Sequence, residues 1–119
     1  MNERRRPSHH TPLQELSNAM VALHRDLFGR GPAEAKSAIS AGMAVCMLRD
    51  IYTPLERRLI EGGRGDEVLQ LRFANQRLCE EEIKQVAADV LGRPIQAALS
   101  SFHVNPDLAI EFFLLGPAG

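Results

Sequence analysis

The groups able to do chemistry gather near the C-terminus, in SSFHVNPDLAIEF. Ser101, His103 and Asp107 supply a hydroxyl, an imidazole and a carboxylate, the three group types of acyl transfer. Side chains alternate along a strand, so Ser101 and His103 share a face. The Gly-x-Ser-x-Gly elbow that presents such a serine in one large class of hydrolases is absent, and no oxyanion loop is evident. The chain therefore reads as non-enzymatic, with no catalytic residues. His103, Asp107 and Glu111 are ligand types for a divalent metal. An even-length turn sets His103 opposite Ile110 and sends Glu111 to the other face, beside Phe102. That parity separates the three groups, so neither a metal nor a cofactor is expected. Asp107 suits the turn itself, and His103 suits a hydrogen bond at the strand end.

Arg30 and Arg93 are a second candidate. Each follows a helix-ending glycine, in FGRGP and LGRP. A cation there complements the helix dipole. Should the repeat bring the two guanidinium forks together, they hold a small carboxylate or bicarbonate. Sensing of a small anion is the alternative function on this ground.

The elements that position these residues repeat. Thr11-Pro12-Leu13-Gln14 and Thr53-Pro54-Leu55-Glu56 are both capping-box helix starts with proline in the first turn. Leu13, Leu16, Met20, Leu23 and Leu27 make one apolar face of the first helix, which Gly29 ends. The second helix is short and stops at Gly62-Gly63. A third runs from an Asp66 cap to Leu91, with Leu69, Phe73, Cys79, Ile83, Val86 and Val90 as its stripe. At about 38 Å it outruns a strand of about 23 Å, so a bend is expected near Asn75 and Gln76. IQAALSSFH and DLAIEFFLL flank an Asn-Pro-Asp turn and form a hairpin. Local propensity in PAEAKSAISAGMAVCMLRDIY favours a helix. The repeat argues instead for a matching hairpin that turns near Ala41-Gly42. The expected fold is two-layer α+β, in the order α-β-β-α-α-β-β. One four-stranded antiparallel sheet carries its helices on one face.

The bulk properties set limits. A chain of 119 residues is one ordinary domain. Residues 11–115 form it, between a flexible basic tail over 1–10 and a short tail over 116–119. Net charge is −1 and Trp is absent, which argues against nucleic acid. No stretch reaches the roughly 18 to 20 apolar residues of a membrane span. Cys46 and Cys79 are far apart, which suits a reducing cytoplasm and no disulfide. With Leu108, Ile110, Phe112 and Leu114 set against the helices, Phe102, Phe113 and Leu115 are left on the uncovered face. Apolar residues on an uncovered sheet face mark a partner surface, and a homodimer through that face is expected.

The chain resembles the MpsC-like family, named for component C of a sodium-translocating, membrane-potential-generating system. The resemblance runs from Leu13 to Leu115. It rests on FGRGPAEAKSAI, LRDIYTPLE and LGRPIQAALSSFHVNPDLAIEFFLL, with His103, Pro106, Asp107 and Glu111 in familiar places. The first hairpin departs from it, with Ala, Cys and Met where β-branched residues are expected. The family is known largely as a domain of unknown function, and the resemblance carries no catalytic residues. It implies a setting in membrane energetics and inorganic-carbon uptake, beside membrane transporter subunits. The function it implies is that of a soluble interaction or regulatory protein.

Overall fold

The computed structural model describes residues 11–117. The basic tail of residues 1–10 and the last two residues of the 116–119 tail lie outside the described residues. The chain runs α1 (Pro12–Phe28), β1 (Glu34–Ser40), β2 (Met43–Arg49), α2 (Pro54–Glu61), α3 (Gly65–Leu78), α4 (Glu80–Leu91), β3 (Ile95–His103) and β4 (Leu108–Leu115). All strand pairs are antiparallel, in the order β1-β2-β4-β3. The α+β repeat is therefore present, with each half giving one central and one edge strand.

Local chemistry explains the boundaries. Thr11 and Thr53 each accept from the backbone three residues on, and Gln14 and Glu56 reach back to close both capping boxes. Gly29 and Gly92 end α1 and α4 in the left-handed conformation. Ala41 and Gly42 both have positive φ, as a two-residue hairpin turn with the right twist requires. That turn prevails over the helix propensity of the segment.

The long third helix is realised as two, α3 and α4. The break falls at Cys79, a little beyond Asn75 and Gln76. Cys79 N–H is shared between the carbonyls of Asn75 and Gln76, and Glu80 to Glu82 begin a new first turn. Asn75 and Gln76 stay helical because they have inward work: Gln76 is buried, and Asn75 Nδ2 donates to Leu27 O at 3.0 Å. Asp66 lies in the first turn of α3 and makes no cap, the N-cap position falling to Arg64.

The helices cover one face of the sheet, and it is the opposite face from the one expected. Ala109, Glu111, Phe113 and Leu115 point into the core, with Ala98 and Phe102 from β3. Rings from α1 and α3, Phe28 and Phe73, meet Phe102 edge to face. Leu108, Ile110, Phe112 and Leu114 lie on the uncovered side. The even parity of the hairpin holds, but His103 pairs with Leu108 rather than Ile110, and hydrophobicity misassigns the faces. Every even position of β4 is apolar, whereas the odd set includes a glutamate.

That glutamate is answered by a row of polar groups. On the helix face Ser37 pairs with Cys46, Cys46 with Glu111, and Glu111 with Ser100, so the row crosses all four strands. From above, α1 supplies His24 and Ser17 on one side of the helix. His24 Nε2 donates to Glu111 Oε2 at 2.9 Å, Ser100 donates to Glu111 Oε1, and Ser17 Oγ meets Ser37 Oγ at 2.7 Å. Glu111 is only 1% exposed.

Removing one member of a buried pair strands the other, at a cost of about 3–5 kcal/mol. Glu111→Leu is expected to lower stability by about that much. Combined with His24→Leu, it is expected to recover most of the loss. Urea unfolding of the three variants checks both, and a neutral single variant would show that the pair constrains nothing.

Candidate functional site

The uncovered face is built from ladder partners that alternate out of the core. Ala38, Val45, Phe112 and Leu99 form one row across it, and Lys36, Met47, Ile110 and Ser101 form the next. Ser40, Met43, Leu114 and Ala97 lie on one side of these rows. On the other, Glu34, Arg49, Leu108 and His103 bring both signs of charge. The centre is apolar and partly shielded by its own side chains, while Leu99 is 62% exposed. Apart from Glu111, both faces of β2 and β4 are thus apolar over their central residues, in contrast to the alternation of a sheet with one wet face.

Phe102, Phe113 and Leu115, expected on this surface, are core residues instead. Leu99, Phe112 and Leu114 hold the places assigned to them. The reason is the inversion of faces set by Glu111.

Arg30 and Arg93 do not meet. Arg30 lies at the end where β1 begins and β2 finishes; Arg93 lies where β3 begins and β4 finishes. A seven-residue strand separates those ends by about 23 Å, far beyond the reach of one small anion. Each arginine is also engaged. Arg30 Nη2 donates to Asp50 Oδ2 at 2.7 Å. Arg93 Nε and Nη2 both donate to Gly116 O, at 3.0 and 2.8 Å. Gly116 N–H in turn donates to Pro94 O, and a Cβ at Gly116 would stand 2.9 Å from the Pro94 ring. Arg93 therefore clamps the end of β4 onto the start of β3.

His103, Asp107 and Glu111 also separate. His103 Nδ1 bonds Pro106 O within its own turn. Asp107 Oδ1 accepts from Ile51 N–H at 2.8 Å, and Asp107 O accepts from Asp50 N–H at 3.2 Å. Glu111 is in the core. Among the described residues no three His, Cys, Asp or Glu side chains gather as a metal site. Arg30 and Asp107 are brought into one network, by residues the sequence reading passed over. Asp50, at φ 59°, binds both Arg30 and Arg57, and Arg57 also reaches Asp107 at 3.4 Å. These pairs are well solvated, so they shape the loop more than they stabilise it. Beside them Tyr52 O–H donates to His103 O at 2.7 Å. Burial pushes the Tyr52 phenol up to about 12, against the pull of Arg72, so it stays a donor.

Arg72 was also passed over, because it sits beside the α3 stripe as a charge. It is 1% exposed. Its Nε and Nη2 grip Glu56 at 2.9 and 2.5 Å, Nη2 also donates to Ile51 O at 2.9 Å, and its guanidinium lies 4.1 Å from the Phe28 ring centre. Burial raises the Glu56 carboxyl, but hydrogen bonds from Arg72 and Thr53, with the Arg72 charge, outweigh it. The group is held below its ordinary value. Both cysteines are free thiols. Cys46 is pushed up to about 11 by burial first, with Glu111 adding and Ser37 opposing.

A family described as "Na+-translocating membrane potential-generating system (MpsC)" matches residues 10–116, and the chain belongs to it. No curated protein and no solved structure matches. Among the described residues no helix is long and apolar enough to cross a membrane.

The Glu56 shift has a sign. A carboxyl held low when folded contributes stability that is full above its unfolded value of 4.5 and is lost as pH falls through the lower folded value. Urea midpoints measured between about pH 6 and pH 3 are expected to fall, and Glu56→Gln is expected to remove part of that slope. An unchanged slope in the variant would place the acid sensitivity elsewhere.

Proposed function

Because the chain belongs to the MpsC family, we propose that it is a non-catalytic interaction protein of a membrane-potential-generating system, and that it pairs with a second copy of itself through the uncovered sheet face. The observation that supports this is the apolar centre of that face: Val45, Met47, Ile110 and Phe112, with Met43, Leu99 and Leu114 around it and no helix above. A four-stranded face of this length has a flat footprint of about 400 Å² from strand rise and spacing. Side-chain relief raises the contact area toward the ~800 Å² per partner of a standard interface. Two such faces pack about 10 Å apart. The rim carries both signs, in Glu34, Lys36 and Arg49, so a second copy meets no single repelling field.

The same reading places the protein in the cytoplasm beside a membrane transporter subunit, with inorganic-carbon uptake as the process served. The family link to a membrane system supports the place beside a membrane subunit.

Light scattering at tens of micromolar is expected to give twice the chain mass of 13.2 kDa. Phe112→Glu is expected to give a folded monomer, whereas Phe113→Glu unfolds the chain because Phe113 is fully buried. A monomer from the unsubstituted protein would remove the second copy as occupant and give the face to a membrane subunit. For the biological setting, loss of the gene is expected to slow growth in air, and raised carbon dioxide to restore it. Equal growth in both, with no membrane protein recovered alongside the chain, would reject the link to carbon uptake.

A further inference from the structure

Side-chain size is not spread evenly over the uncovered face. Its middle row runs Ala38, Val45, Phe112, Leu99 from the β1 edge to the β3 edge. The two small members lie on the β1 half and the two large ones on the β3 half. Ala38 is exposed but short, whereas Leu99 stands 62% exposed at the opposite edge. The neighbouring row sets its one charge, Lys36, on the β1 edge and the hydroxyl of Ser101 on the β3 edge. The face is therefore low along one edge and raised along the other.

A two-fold axis brings the same patch of both copies together. Two sheets packed face to face in the aligned class keep their strands within about 30° of each other. The axis through the middle of the face then runs either along the strands or across them. Along the strands, it exchanges the edges, so β1 of one copy lies over β3 of the other. Ala38 receives the partner's Leu99, and Val45 receives the partner's Phe112. Each small side chain meets a large one. Lys36 lies over the partner's Ser101, Glu34 lies over the partner's His103, and the two lysines go to opposite edges.

An axis across the strands exchanges strand ends instead. Leu99 still finds a small residue, the partner's Ser101. Phe112, however, meets the partner's Ile110, large upon large. The two Lys36 share one edge, about 7 Å apart along the strands. Like charges brought together oppose association, and the core of an interface packs as densely as a protein interior. Charge and relief both select the axis along the strands.

We propose that two copies form a β-sandwich about a two-fold axis parallel to the strands, with Leu99 of each seated on the partner's Ala38. This inference rests on the pairing proposed above and adds its geometry. Both faces are consumed in one closed contact, so assembly through this surface stops at two copies.

The test is NMR on the full chain, in a sample mixed from isotope-labelled and unlabelled copies and filtered for contacts between copies. Methyl contacts are expected between Ala38 and the partner's Leu99, and between Val45 and the partner's Phe112 ring. A size exchange gives a second readout, from dimer dissociation constants. Ala38→Leu and Leu99→Ala lie at exposed positions and should keep the fold. Each should weaken the dimer about tenfold or more. The double variant, which exchanges knob and seat, should recover most of that loss. A dimer in which Leu99 touches the partner's Ser101, or in which the strands cross, would overturn this geometry and leave the pairing standing. Losses that simply multiply in the double variant would do the same. A monomer would overturn the geometry and the pairing together.

Discussion

The fold turns on one buried carboxylate. Glu111 lies in the middle of a central strand, beneath the first helix, and everything around it is arranged as a partner. Hydrophobic burial alone does not choose which side of this sheet the helices cover, because β2 and β4 are apolar on both sides. A slip of one residue would exchange the two faces of a strand. Here such a slip would place Glu111 in the open and Phe112 under α1, with little change in buried apolar area. It would also leave His24 and Ser100 in the core with no acceptor. A buried polar group is a poor source of stability, but it can select one arrangement among several of similar hydrophobic energy. Ser17 and His24 extend the selection to α1, whose rotation and height over the sheet they fix together.

This explains what could be read in advance and what could not. Helix starts, helix stops and hairpin turns are set by residues near in sequence. Thr11, Thr53, Gly29, Gly92 and the Ala41-Gly42 turn all act as their types suggest. The Gly-Arg-Pro recurrence then revealed the first hairpin through the second, against the helix propensity of the segment. The choice of face depends on a contact across most of the chain, between His24 and Glu111, and no local pattern announces it. One hint was present. His24 stands on the apolar stripe of α1, between Met20 and Leu27, where a histidine needs a partner. Arg72 hides in the same way, as a charge one residue away from Phe73. Arg30 and Arg93 show the opposite error. Their equivalence in the repeat is real, but a two-fold relation carries equivalent points to opposite ends of the sheet.

The molecule divides its surface by layer. The uncovered face is broad, nearly flat and apolar, fitted to another flat face. The α3 flank is narrower, with Leu71 and Leu78 exposed above the buried guanidinium of Arg72. Between them, Arg93 with Gly116 and the Asp50 network with Asp107 tie the two ends of the sheet. The Arg93 clamp closes the hairpin of the second half on itself, whereas Asp107 joins that half to Asp50 and Ile51 of the first.

The seam between β2 and β4 bears on descent. Met43 faces Leu114 and Arg49 faces Leu108, so the midpoint of the pairing is Cys46 against Glu111. The internal axis relating the halves passes between these two residues. His24 stands as far before Gly29 as Ala87 stands before Gly92, so the histidine of one half is matched by an alanine in the other. If the halves arose by duplication of one ancestral unit, they could not have stayed alike here. Two copies of the later half would set glutamate against glutamate across the axis, two like charges in one dry space. Divergence at this row is what allows one polypeptide to hold both units, and it makes the halves complementary parts that no longer substitute for each other.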